Sequence, residues 1–224
     1  MMAALLASAV WVNLATVLGA PVSTTHAVVG GVMGAGVASV GFGLVNWPTL
    51  GAIAASWVIS PLMGGLIAAL FLAFIKINLI YRDDKIAAAR RWIPVLIAIM
   101  AGSFACYLSI KGLKHIWKPD LPSVLAIGVG TFLLVWAVSR PLIRRQSEGM
   151  ENRNRSLRRL FRVPLICSAA LLSFAHGAND VANAIGPLAA LLHGVRFGDV
   201  AATTAAPGWI MVIGAVGISL GLFI

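Results

Sequence analysis

The chain has 224 residues, of which 60% are hydrophobic and only 11% charged, with a formal net charge of +10 at pH 7. Soluble domains carry roughly 25% charged residues, so this composition excludes a soluble globular domain. It predicts an all-α, multi-spanning membrane protein, located in the cell membrane and, in a bacterium, in the inner one. A β-barrel would need alternating segments of about ten residues, and none are visible. The basic residues lie in short segments between apolar runs, which is topological bias and argues against a nucleic-acid partner. No nucleophile–base pair, metal-ligand cluster or nucleotide loop is present, so an enzyme is not expected. Cys106 and Cys167 lie in separate apolar segments and read as buried free thiols. Met1-Met2 leads straight into an apolar run without a basic leader, so no cleavable signal is expected.

Residues 1–75 contain no Asp, Glu, Lys or Arg, room for roughly three spans of about 20 residues. The first run, residues 3–20, ends at Gly19-Ala20-Pro21, and Pro21-Val-Ser-Thr-Thr-His26 follows as a polar break. Asn13 in that first run reads as helix–helix glue. A glycine-rich run comes next, in which Gly30 and Gly34 form a G-x-x-x-G pair suited to close helix approach. Asn46-Trp47-Pro48 reads as an interfacial turn, and a third run over 49–75 carries Pro61, where a kink is expected. Whether residues 1–20 and 27–45 span or re-enter stays open at this point.

Further runs cover 93–110 and 121–139, then 163–195 and 205–224. The three polar segments at 76–92, 111–120 and 140–162 carry five, three and eight basic residues. The first and third are therefore expected on the cytoplasmic side. The third reads as an Arg-rich cytoplasmic loop touching the lipid bilayer, with transmembrane regions at 1–139 and 163–224 on either side.

Between Val163 and Val195 the sole charged side chain is Asp180, flanked by Asn179 and Asn183. Such groups in hydrocarbon are rare and mark a functional site by default. Helical spacing puts all three on one face, while Gly177 and Gly186-Pro187 mark places for the helix to start or stop. Ser and Thr after a proline, like Asn and Asp after a glycine, are N-cap chemistry. A half-helix N-terminus offers free N–H groups and the positive dipole end, which suits an anion. Broken helices at the midplane of a pseudo-symmetric fold typify secondary transporters.

Gly177-Ala-Asn-Asp-Val-Ala-Asn183 and Pro21-Val-Ser-Thr-Thr-His26 resemble the paired signatures of the PiT inorganic phosphate transporters. The resemblance runs over essentially the whole chain. It implies discontinuous helices from two inverted repeats, only partly present here. In that family each repeat carries a G-A-N-D motif followed by an S-T-T-H motif. This chain holds one of each, in the order that joins the end of the first repeat to the start of the second. Thr203-Thr204 does not substitute for the second S-T-T-H. The chain is thus expected to be the middle of a transporter, truncated at both ends.

The expected function is cation-coupled transport of inorganic phosphate. No Lys or Arg lies within the two motifs, so phosphate would be held by N–H groups, by Ser23, Thr24 and Thr25, and by Asn179 and Asn183. Asp180 alone would repel it, by roughly 3 kcal/mol at about 5 Å and an effective dielectric of 20. A cation on Asp180 reverses that sign and must bind first. Sodium suits the oxygens of Asp180, Asn179, Asn183, Ser23 and Thr25, and a proton on Asp180 would also serve. No cofactor is implied beyond this co-transported sodium or proton, and a homo-oligomer is compatible with the reading. The alternatives are a related oxyanion such as sulfate, or a non-transporting membrane subunit. His26 is open between structural and site roles, His176 is expected to satisfy a carbonyl, His115 to be solvated and His193 to face the interface.

Overall fold

The computed structural model describes residues 1–112, 119–198 and 206–223. His115, Lys114, Lys118, Thr203 and Thr204 lie outside the described residues. Among the described residues seven α-helices run in order: α1 (Met2–Val17), α2 (Thr24–Val40), α3 (Trp47–Ile75), α4 (Lys85–Tyr107), α5 (Leu121–Gln146), α6 (Asn154–Phe197) and α7 (Gly208–Gly221). Short π-helical turns extend α3 over Lys76–Ile80 and α4 over Leu108–Gly112. With these extensions, α3 to α6 are long and apolar enough to cross a membrane, and the chain is a multi-pass membrane protein.

The helix boundaries follow from local chemistry. Ser23 is extended (φ −87°, ψ 126°), and its hydroxyl accepts from the His26 N–H at 3.3 Å, which starts α2. Gly41, with φ +86°, ends it, in a conformation that side-chain-bearing residues rarely adopt. The Asn46 carboxamide accepts from the Thr49 N–H at 3.1 Å, so the Asn-Trp-Pro stretch is the start of α3 as well as a turn. Asp84 caps α4 by accepting from the Ala87 N–H at 2.9 Å. Residues 147–153 link α5 to α6, with Gly149 at φ +72°. The polar segment 140–162 is therefore mostly helix, and its loop is confined to that turn.

The chain divides into two compact units, one of Met1–Trp57 with Ser173–Ile224 and one of Val58–Leu172. In the second unit, Leu79, Ala89, Ile93, Ile143, Leu157 and Leu160 form one buried cluster. Helices α4 and α5 meet through small residues. A Cβ on Gly102 would lie 2.9 Å from the Gly128 carbonyl oxygen, and one on Gly128 would strike Cys106 Sγ. Without a hydrophobic drive between helices in lipid, such close approach supplies the packing attraction. Cys106 is half-buried, whereas Cys167 is exposed, so the expectation of two buried thiols holds for neither in full.

In the first unit α1 packs on α2. Ser8 Oγ lies 2.8 Å from the Ala4 carbonyl and 2.9 Å from the Ala27 carbonyl, so its single proton links the two helices. The close-packed glycine is Gly31, where a Cβ would sit 2.6 Å from the Ala4 carbonyl. Gly30 and Gly34, the expected pair, have no neighbour within 4 Å at that position. The motif was one residue out of register with the contact face. Asn13 is not interhelical glue either: it is exposed and donates to the Ala9 carbonyl of its own helix at 2.8 Å. Helices α1 and α2 have 16 and 17 residues. Of the three helices before residue 76, α3 alone has the length of a span. Helix α2, bounded by caps at both ends, falls short of the about 20 residues a span needs.

The second motif does not break its helix. α6 runs unbroken for 44 residues from Asn154 to Phe197, through Gly177 and Gly186-Pro187. A proline in a helix interior removes one backbone donor and crowds the preceding turn, at about 3 kcal/mol, and a glycine costs about 1 kcal/mol. Neither suffices to end a helix whose polar face is held by side-chain partners.

Candidate functional site

The site is built where the N-terminus of α2 meets the middle of α6. Ser23 ends the non-helical connection, so Thr24 and Thr25 are the first two helical residues. Their backbone N–H groups have no acceptor within the helix. On α6, Asp180 and Asn183 are three residues apart and share a face; both are half-buried.

Two side-chain hydrogen bonds join these helices across more than 150 residues of sequence. Thr24 Oγ1 donates to Asp180 Oδ1 at 3.0 Å. Asn183 Nδ2 donates to Thr25 Oγ1 at 2.7 Å. A third contact comes from one turn earlier on α6, where His176 Nε2 lies 3.3 Å from Asp180 Oδ2. Both carboxylate oxygens of Asp180 are thus engaged, and its side chain is 22% exposed against 75% for His176. A carboxylate held by two donors is far less costly to retain than an unpartnered one.

The structure brings together four of the six residues expected at the site: Thr24, Thr25, Asp180 and Asn183. Ser23 is adjacent, but its oxygen is engaged as the α2 cap. Asn179 is exposed and takes no part in these contacts, since it points about 100° away from Asp180 around the helix. The second half-helix N-terminus is withdrawn, because the N–H groups near Asp180 lie inside a continuous helix. His176 was underestimated: it meets a carboxylate, not a carbonyl, and its i,i+4 spacing from Asp180 was the available signal. His26 turns away to stack on Trp57, with ring centroids 3.9 Å apart. His193 packs its ring on Phe197 at 4.8 Å.

A recess of about 590 Å³ lies between α1 and the start of α2, with Ser23, His26 and Ser8 among its polar lining and Trp11 and Pro21 among its apolar walls; neither α6 nor the four contact residues line it. The chemistry available is consistent across the group. Oxygen atoms dominate, no Lys or Arg stands in either motif, and the only formal negative charge is on Asp180. Hard oxygen donors suit a hard cation, and the free N–H groups of α2 suit an oxyanion.

Comparison with known proteins leads to the same place. The profile of the phosphate transporter family matches residues 1–224. Two Helicobacter pylori proteins named "Putative phosphate permease" are 48% and 49% identical over 225 residues, which is 99% of this chain and 42% of each of them. A Pyrococcus abyssi protein of similar name is 34% identical over 221 residues, 54% of its length. The solved structure titled "The sodium-dependent phosphate transporter" is 34% identical and superposes with a TM-score of 0.88, over 99% of this chain and 54% of that one. The chain therefore spans less than half the length of the Helicobacter relatives. With both signature motifs in contact and the family profile matched from end to end, the chain belongs to the phosphate transporter family.

Proposed function

We propose that the chain contributes to sodium-coupled transport of inorganic phosphate across the membrane, with Asp180 as the coupling carboxylate. The observation that carries this reading is the Thr24–Asp180 hydrogen bond of 3.0 Å, which ties one motif to the other. Sodium is favoured over a proton by the 34% identity to a transporter described as sodium-dependent.

The hydrogen-bond directions separate two roles. Thr24 spends its proton on Asp180, so its remaining lone pairs face outward as cation ligands beside the carboxylate. Asn183 donates to Thr25, which leaves the Thr25 proton for an acceptor oxygen of phosphate and the Asn183 Oδ1 for a cation. The N–H groups of Thr24 and Thr25, at the positive end of α2, complete the oxyanion side. Sodium on Asp180 removes a repulsion of roughly 3 kcal/mol at about 5 Å, so phosphate binds well only after the cation.

The test is sodium-dependent phosphate uptake into proteoliposomes carrying the chain or its Asp180→Asn variant. Sodium-driven uptake should be lost in the variant, because the carboxylate that couples the cation is gone while the repulsion of phosphate is gone with it, with insertion and helicity unchanged. Undiminished sodium-driven uptake by the variant would remove Asp180 from the coupling role. Displacement of labelled phosphate by sulfate at equal concentration would shift the substrate to oxyanions in general.

A further inference from the structure

We propose a second anion site in the unit formed by Val58–Leu172: a recess between α4 and α5 that binds the phosphodiester headgroup of an anionic phospholipid. The recess has a volume of about 630 Å³, and Arg90, Arg91, Arg140 and Arg144 line it together with Trp92 and Trp136. Helices α4 and α5 are antiparallel, so the first turns of one and the last turns of the other bring four guanidinium groups to one membrane end.

Several observations distinguish this recess from an ordinary scatter of arginines in water. No Asp or Glu lines it. Among the described residues the ion pairs are Arg153–Glu151 and His176–Asp180, neither of them here. Arg90 is held in place by a buried serine: its Nε donates to Ser147 Oγ at 2.6 Å, and Ser147 is 1% exposed. Arg91 and Arg140 lie over the Trp92 and Trp136 rings, at 5.2 and 5.0 Å from the centroids. Four like charges gathered without a counter-charge repel one another, and an anion seated among them reverses that cost. Guanidinium groups also match phosphate oxygens with paired donors.

The occupant is a lipid because the surroundings are amphipathic. Val129, Leu133, Trp136, Arg140 and Arg144 follow helical spacing along one face of α5, and Val129 and Leu133 are 56% and 53% exposed. That stripe passes from apolar to aromatic to cationic, in the order of acyl chain, interface and headgroup. Tryptophan belongs at such interfaces, and basic pockets between spans take anionic headgroups. Free phosphate would use the arginines and leave the apolar stripe bare.

The experiment uses the chain in phosphatidylcholine vesicles, titrated with brominated phosphatidylglycerol or brominated phosphatidylcholine while quenching of tryptophan fluorescence is followed. Phosphatidylglycerol should be preferred, and the Arg140→Gln/Arg144→Gln variant should lose about fivefold of that preference per arginine removed. The Arg155→Gln/Arg158→Gln variant removes equal charge from exposed positions outside the recess and should lose less than about twofold. The Arg140→Lys/Arg144→Lys variant keeps the charge without the paired donors and should hold a preference between those of the unaltered chain and the glutamine variant, which separates loss of the site from misfolding. Equal quenching by both lipids in the unaltered chain would overturn the proposal. So would equal losses from the two glutamine variants, which would mean diffuse surface attraction, or displacement of phosphatidylglycerol by millimolar inorganic phosphate.

Discussion

Residues 18–26 and residues 176–183 both set polar side chains into apolar surroundings, but only the first interrupts its helix. The first has a proline followed by a serine whose hydroxyl caps the next helix, so backbone and side chain agree on a boundary. The second has glycine alone at its start, and its acid and amide find partners on another helix. A polar cluster in a membrane therefore needs satisfied groups, and a cap or a tertiary hydrogen bond serves equally well. The division of labour follows: one stretch supplies a helix N-terminus and hydroxyls, the other a fixed charge.

The sharpest way to probe that division is to treat the two threonines separately. Thr24→Val should raise the sodium concentration for half-maximal uptake about tenfold while changing phosphate affinity less. Thr25→Val should do the reverse, since a lost hydrogen bond to a charged ligand is worth about 1.5–3 kcal/mol. Equal effects of both variants on both ligands would erase the distinction. Packing comes next in size. Gly31→Ala forces a methyl group against the Ala4 carbonyl and should lower thermal stability by about 1–3 kcal/mol. Gly34→Ala, inside α2 with open space around it, should instead stabilise slightly, by about 0.5–1 kcal/mol.

Smaller effects separate a broken helix from a continuous one. Ser23→Ala removes the α2 cap and should cost about 1 kcal/mol in thermal unfolding. Gly177→Ala should instead stabilise by about 0.5–1 kcal/mol, since α6 passes through that position with room for a Cβ. A destabilising Gly177→Ala would mean that the helix ends there after all.

Much of this was legible in the sequence because hydrophobic runs and charge placement speak directly about spans. The helices from α3 onward fall on the apolar runs, though α6 begins nine residues earlier than the run at 163, since arginines are tolerated in the helix beyond the membrane. Thr24, Thr25, Asp180 and Asn183 could be named because uncompensated polarity in an apolar run is informative. Which of the three polar residues on α6 faces α2 could not be read, since that depends on helix rotation about its axis; Asn179 was lost for this reason. The Gly30–Gly34 pair failed similarly, because a G-x-x-x-G pattern marks a possible contact face and tertiary packing chose Gly31. A helix break at Gly177 would have left His176 a carbonyl for a partner, whereas the continuous helix sets Asp180 one turn away.

If a cation on Asp180 admits phosphate, the two ligands must be linked, and binding linkage tests this most directly. Phosphate affinity of the purified chain should be titrated over a range of sodium concentrations, with sodium affinity measured in turn at fixed phosphate. Each ligand should tighten the other by the same factor, as linkage requires, and Asp180→Asn should abolish the sodium dependence. Phosphate affinity that ignores sodium in the unaltered chain, or that keeps its sodium dependence in Asp180→Asn, would contradict the account.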